Sequence, residues 1–125
     1  MSRGWRIALI ACACLAALAY FNREGLLFAL TVGSSDTRPD LLTGAKWNRA
    51  DSATAFRRRF HSGIAEKELI GWLRDNRFTL DTASREATRR IESLPCNERI
   101  VVAWSVEQTG KLASANAIIT EAGCL

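Results

Sequence analysis

Residues Ile7 to Phe21 (IALIACACLAALAYF) run for 15 positions without a charge, directly behind the short basic stretch MSRGWR. An apolar run with that flank is matched to a bilayer or to the export machinery before it is matched to a protein core. Fifteen helical residues rise about 22 Å, and starting at Trp5 adds about 3 Å, against roughly 30 Å of hydrocarbon. The segment therefore reads as a short membrane span or as a signal-peptide core.

Three processing fates fit the residues. Ala17-Leu18-Ala19 is an A-x-A cleavage site with small residues in the required places. Leu9-Ile10-Ala11-Cys12 resembles a lipobox that would acylate Cys12, although the apolar stretch ahead of Cys12 is short and continues beyond it. The third fate is an uncleaved anchor, favoured by the return to apolar LLFALTV after Asn22-Arg23-Glu24-Gly25. All three share one orientation, because Arg3 and Arg6 hold the N-terminus inside. The expected location is the cytoplasmic membrane, single-pass, with the C-terminal part in the periplasm. Cleavage after Ala19 would instead release a soluble periplasmic or secreted chain.

The organisation expected is an anchor or signal over residues 1–21, an interfacial segment and linker over 22–45, and one small α+β domain over 46–125. Residues 33–44 (GSSDTRPDLLTG) carry the Gly, Ser, Asp and Pro content of a linker. Asp51 or Ser52 is placed to cap a short helix bearing Ala53, Phe56 and Phe60, with Gly63 as its stop. A second helix is expected from about Ala65 to Asp75, with Ala65, Leu69, Trp72 and Leu73 on one face and Asn76 as its left-handed end. Phe78-Thr79-Leu80 reads as a short strand, and Thr82 to Glu92 as a loop or weak exposed helix. Ile100 to Val106 alternates Ile100, Val102, Trp104 and Val106 onto one face of a strand. Gln108-Thr109-Gly110 turns the chain, and Leu112 to Thr120 returns with Ala113, Ala115 and Ala117 on one side. Helices packed on an antiparallel sheet follow from this order. Trp47, Trp72 and Trp104 read as core residues.

Cys96 and Cys124 are the only cysteines outside the apolar segment, and they flank the hairpin's two outer ends. Antiparallel strands bring those ends together, so a disulfide is expected in an oxidising compartment. Neither cysteine lies in a C-x-x-C pair, which disfavours a redox or metal role. His61 is the single histidine and has no motif partner. G-x-S-x-G, H-E-x-x-H, P-loop and dinucleotide glycine patterns are absent from the sequence. An enzyme is disfavoured, and no catalytic residue, metal ligand or cofactor is assigned. Setting Arg3 and Arg6 apart from the 17 Lys+Arg leaves 15 against 13 Asp+Glu, too even a balance to call for nucleic acid. Arg57, Arg58 and Arg59 form a candidate patch for anionic lipid or a partner. Helical geometry fans them over about 200°, however, so they do not address one ligand together.

Phe60-x-x-Gly63, then Glu68-Leu69-x-x-x-Leu73 and a late hairpin, resembles the small envelope modules of the SmpA/OmlA outer-membrane-assembly lipoprotein type, a shape shared with the β-lactamase-inhibitor-protein fold. The likeness covers about residues 56–120. It implies two helices on a short antiparallel sheet and a non-catalytic scaffold or binding role, and no functional residue carries over. The expected function is a membrane-tethered, periplasm-facing accessory or binding module, with the lipid bilayer and an envelope protein as partners. The alternative is a small secreted inhibitor of an envelope or foreign enzyme.

Overall fold

The computed structural model describes residues 3–25, 27 and 36–125, in two units divided at Ser35/Asp36. Helix α1 spans Arg3–Phe21. At 1.5 Å per residue its 19 residues reach about 28 Å, of which the charge-free part after Arg6 makes about 22 Å. Its large apolar side chains, from Trp5 and Ile7 to Tyr20 and Phe21, are exposed. An 18-residue window, Gly4–Phe21, is long and apolar enough to cross a membrane. The expected interfacial segment at LLFALTV lies outside the described residues except for Leu27.

The folded unit is Asp36–Leu125 and is α+β. After a strap containing the 3-10 turn Asp40–Leu42 come α2 (Thr54–Arg59) and α3 (Glu66–Asp75). Four strands follow: β1 (Thr79–Asp81), β2 (Glu86–Ile91), β3 (Cys96–Val106) and β4 (Leu112–Cys124). They form one antiparallel sheet in the order β1-β2-β3-β4. Each strand pairs with its sequence neighbour, so only short connections are needed.

One face of the sheet is buried and the other open. Ala87 and Ile91 of β2, Ile100, Val102 and Trp104 of β3, and Leu112, Ala115, Ala117 and Ile119 of β4 point inward. Phe56, Phe60, Leu69 and Leu73 complete the core from the helical layer. Trp104 has its indole N–H satisfied by Glu66 Oε1 at 2.7 Å, in the first turn of α3. Trp72 is half-buried and belongs to an aromatic cluster, with ring centroids 5.5 Å from Phe56, 5.5 Å from Phe60 and 5.8 Å from Phe78. Trp47 is not a core residue: it is 37% exposed and donates its indole N–H to Glu98.

Several local expectations are corrected. The folded unit begins at Asp36, well ahead of residue 46, because Leu42 and Ala45 of the supposed linker are buried in the core. Residues 86–91 are strand β2, not loop or helix. No side chain caps α2: Ser52 Oγ instead accepts from the Lys46 N–H and donates to Arg49 O. Helix α2 stops at Arg59, and Gly63 (φ 95°) lies in the turn leading to α3. Arg77 (φ 61°), not Asn76, takes the left-handed position after α3, where the Phe78 N–H closes onto Leu73 O at 3.0 Å. Ala113 is exposed while Ala115 and Ala117 are buried, because a bulge opposite Ser105/Val106 turns it outward.

Candidate functional site

The hairpin brings Cys96 and Cys124 together as register partners at the outer end of β3 and β4. Their Sγ atoms stand 2.00 Å apart, at bonding distance, with Cα atoms 4.0 Å apart. Glu121 Oε1 lies 2.9 Å from Cys124 Sγ. That trio has the donor types of a metal site. Sulfurs joined to each other have neither a proton to donate nor a thiolate to offer a metal, so the bonded form is structural.

The α2 arginines do not converge. Arg57 donates to Asp51 O at 2.6 Å. Arg59 pairs with Glu68 at 3.3 Å and lies 4.9 Å from the centre of the Phe60 ring. Arg58 makes no ion pair or side-chain hydrogen bond among the described residues. His61 is exposed, with Nδ1 2.8 Å from Ser62 O. No carboxylate contacts it among the described residues. Nothing in its surroundings orients it as a general base.

Where the sheet meets the strap, two charged side chains are buried at inward strand positions, Arg89 of β2 and Glu98 of β3. Glu98 accepts a two-pronged contact from Arg38, Nε–Oε2 at 2.7 Å and Nη2–Oε1 at 2.5 Å, together with the Trp47 indole N–H. The Arg38 hydrogen bonds hold the Glu98 carboxyl below its ordinary pKa; burial opposes this, and the Trp47 N–H and the Arg38 charge reinforce it. Arg89 donates to Asp36 Oδ1 at 2.8 Å, Asn76 O at 2.9 Å and Thr37 O at 3.2 Å. Burial alone would raise the Asp36 pKa. The Arg89 hydrogen bond and charge, the Thr37 N–H and the Arg77 charge outweigh it, and the carboxyl sits below its ordinary range.

Beside this network the open face of the sheet forms a cavity of about 570 Å³. Arg77, Arg89, Arg90 and Arg99 line it, with Asp36 and Glu86 as its carboxylates and Thr79, Thr88 and Val101 as its remaining wall. Strand β2 supplies Thr88 and Arg90 from its outward positions, and β3 supplies Arg99 and Val101. A basic concavity of this make-up attracts anions, and it presents no paired nucleophile and base. Sequence reasoning missed it, because Arg90 and Arg99 meet only once β2 and β3 pair. The one available signal was the period-2 outward set Glu86, Thr88, Arg90. Comparison with protein-family models, with curated proteins and with solved structures found no match to the chain.

Proposed function

We propose that this chain is a non-catalytic accessory or binding module, tethered by α1 to the cytoplasmic membrane with its α+β domain on the periplasmic side. The observation that carries the reading is the exposed apolar surface of α1, whose window Gly4–Phe21 is long and apolar enough to cross a membrane, with Arg3 and Arg6 in its first turns as the basic flank. A cysteine pair at bonding distance suits an oxidising compartment and supports the same side of the membrane. The likeness at Phe60-x-x-Gly63 and Glu68-Leu69 to small envelope modules points to a binding role of this kind, with an envelope protein or bilayer lipid as partner.

A reporter active only after export, fused at Leu125, is expected to be active, and the chain is expected to stay in the pellet after a carbonate wash. Activity only from a cytoplasm-dependent reporter would overturn the reading. The A-x-A site at Ala17–Ala19 favours a second reading, a secreted inhibitor released by cleavage. The mass of the mature chain separates the two, since cleavage after Ala19 removes everything up to that residue.

A further inference from the structure

Two guanidinium groups on the open face of the sheet, Arg90 and Arg99, serve neither the core nor the strap, and a third, Arg77, reaches the same cavity from the turn between α3 and β1, where it pairs with Asp36 of the strap. Arg90 and Arg99 are direct register partners in β2 and β3. Both point outward, so their Cβ atoms lie roughly 5 Å apart, an arrangement in which like charges destabilise the strand pair. Arg90 retains one exposed contact with Glu92 at 3.5 Å, and Arg99 has no ion pair among the described residues. Arg77 stands in a left-handed backbone conformation where glycine would be free of strain, and its side chain is 75% exposed at the rim of the same cavity. The fold uses the left-handed position to close α3, but it gives no reason for two like charges to face each other across β2 and β3 beside one concavity.

We propose that this cavity binds a phosphate-bearing anion through Arg77, Arg90 and Arg99, with the register partners Thr79 and Thr88 as hydroxyl donors. A planar carboxylate is saturated by one guanidinium fork. A tetrahedral phosphoryl group offers oxygens in several directions and suits forks arriving from separate elements. Asp36 does not repel such a ligand, because the buried Arg89 already neutralises it at 2.8 Å, which leaves the exposed Arg77 able to turn from Asp36 to the ligand. A volume of about 570 Å³, open to solvent, leaves room beyond one phosphoryl group, which admits a pyrophosphate or the phosphate ester of a larger molecule. The inference rests on reading the domain as a binding module and is independent of how the chain is held.

The test uses the full-length, disulfide-intact chain in neutral detergent micelles, titrated with inorganic pyrophosphate while the domain's thermal midpoint and Kd are followed. Pyrophosphate is expected to bind and raise the midpoint, with affinity falling as salt rises. Arg90→Gln with Arg99→Gln should weaken binding about tenfold or more. The same pair of substitutions should leave the unliganded midpoint unchanged or higher, since it removes a repulsion. Lys67→Gln on α3 is the control and should bind like the parent chain. A second arm places the chain in phosphatidylcholine bilayers with or without phosphatidylglycerol. A rise in midpoint that needs both the anionic lipid and Arg99 assigns a lipid headgroup, and a response confined to pyrophosphate assigns a soluble ester. No response in either arm, or a response the Arg90/Arg99 variant keeps, overturns the proposal. A chain washed off membranes by carbonate would remove the tether and leave the pyrophosphate result standing.

Discussion

Arg38→Met tests whether the strap is held by its charges. The substitution keeps most of the side chain's apolar volume and deletes the fork. Glu98 then loses its contacts at 2.7 and 2.5 Å and keeps the Trp47 indole N–H alone. Ala45 O also loses a donor at 2.6 Å. Breaking a buried ion pair from one side costs about 3–5 kcal/mol, because the remaining charge is stranded. Here the side chains of Arg38 and Glu98 are 18% and 11% exposed, so water reaches the stranded carboxylate in part. The lower end, about 3 kcal/mol, is the expected loss. Removing both charges, as in Arg38→Met with Glu98→Leu, should cost less than the sum of the two single losses, with a coupling of about 2 kcal/mol. Urea unfolding of the full-length chain in neutral detergent, followed by tryptophan emission, reads both variants. A loss below about half a kcal/mol for Arg38→Met, or strict additivity in the double variant, would refute the reasoning.

Further outcomes follow from the same contacts. Glu98 and Asp36 bind protons less readily folded than unfolded. Their contribution is therefore complete above the unfolded carboxylate pKa and fades as pH falls through the depressed folded values; an acid titration of Arg38→Met should show a flatter acid limb than the parent. Cys124→Ser opens a loop with a sequence separation of 28, which the chain-entropy model values at about 3–4 kcal/mol. Labelling of both thiols in the native protein without prior reduction would argue against the bond. Trp72→Ala removes the ring shared by Phe56, Phe60 and Phe78 and should cost about 3 kcal/mol, the low end for such a truncation because Trp72 is half-buried. A near-neutral midpoint would instead mark Trp72 as a contact residue.

The hairpin was legible because four successive inward residues of its first strand are apolar: Ile100, Val102, Trp104 and Val106 repeat with the period of a strand, beyond the inward Glu98. Strand β2 has the same period, but Arg89 stands at the middle inward position between Ala87 and Ile91. A charge there erases the apolar signal unless its partner, Asp36, is already known to lie across it. The strap was missed for a related reason. Gly, Ser, Asp and Pro in residues 33–44 describe a chain that turns often, and they are silent on whether Leu42 is buried at the end of it. Ala113 shows a third kind of failure, since the bulge beside Ser105 and Val106 turns it outward although it has the same parity as the inward Ala115 and Ala117.

The buried charges on the sheet also explain why the strap can have so little apolar content and still dock in one place. Arg89 and Glu98 lie on the same inward face, opposite Ile100 and Ile91 respectively, which makes them diagonal neighbours roughly 7–8 Å apart. Each could have been left to the other. Instead the strap supplies a carboxylate for the arginine and a guanidinium for the glutamate, from Asp36 and Arg38, two residues apart. An extended strand advances about 6.6 Å over two residues, so the spacing of the strap's charges matches the diagonal on the sheet. A strap displaced by two residues would set Arg38 toward Arg89, like against like in a partly dry setting, and leave Glu98 without its fork. Hydrophobic contact from Leu42 and Ala45 supplies attraction that tolerates such a slide; the alternating charges do not tolerate it. The two inward charges that hid β2 and weakened the pattern of β3 are thus the features that fix where the chain enters the domain, at a register that apolar residues alone would leave loose.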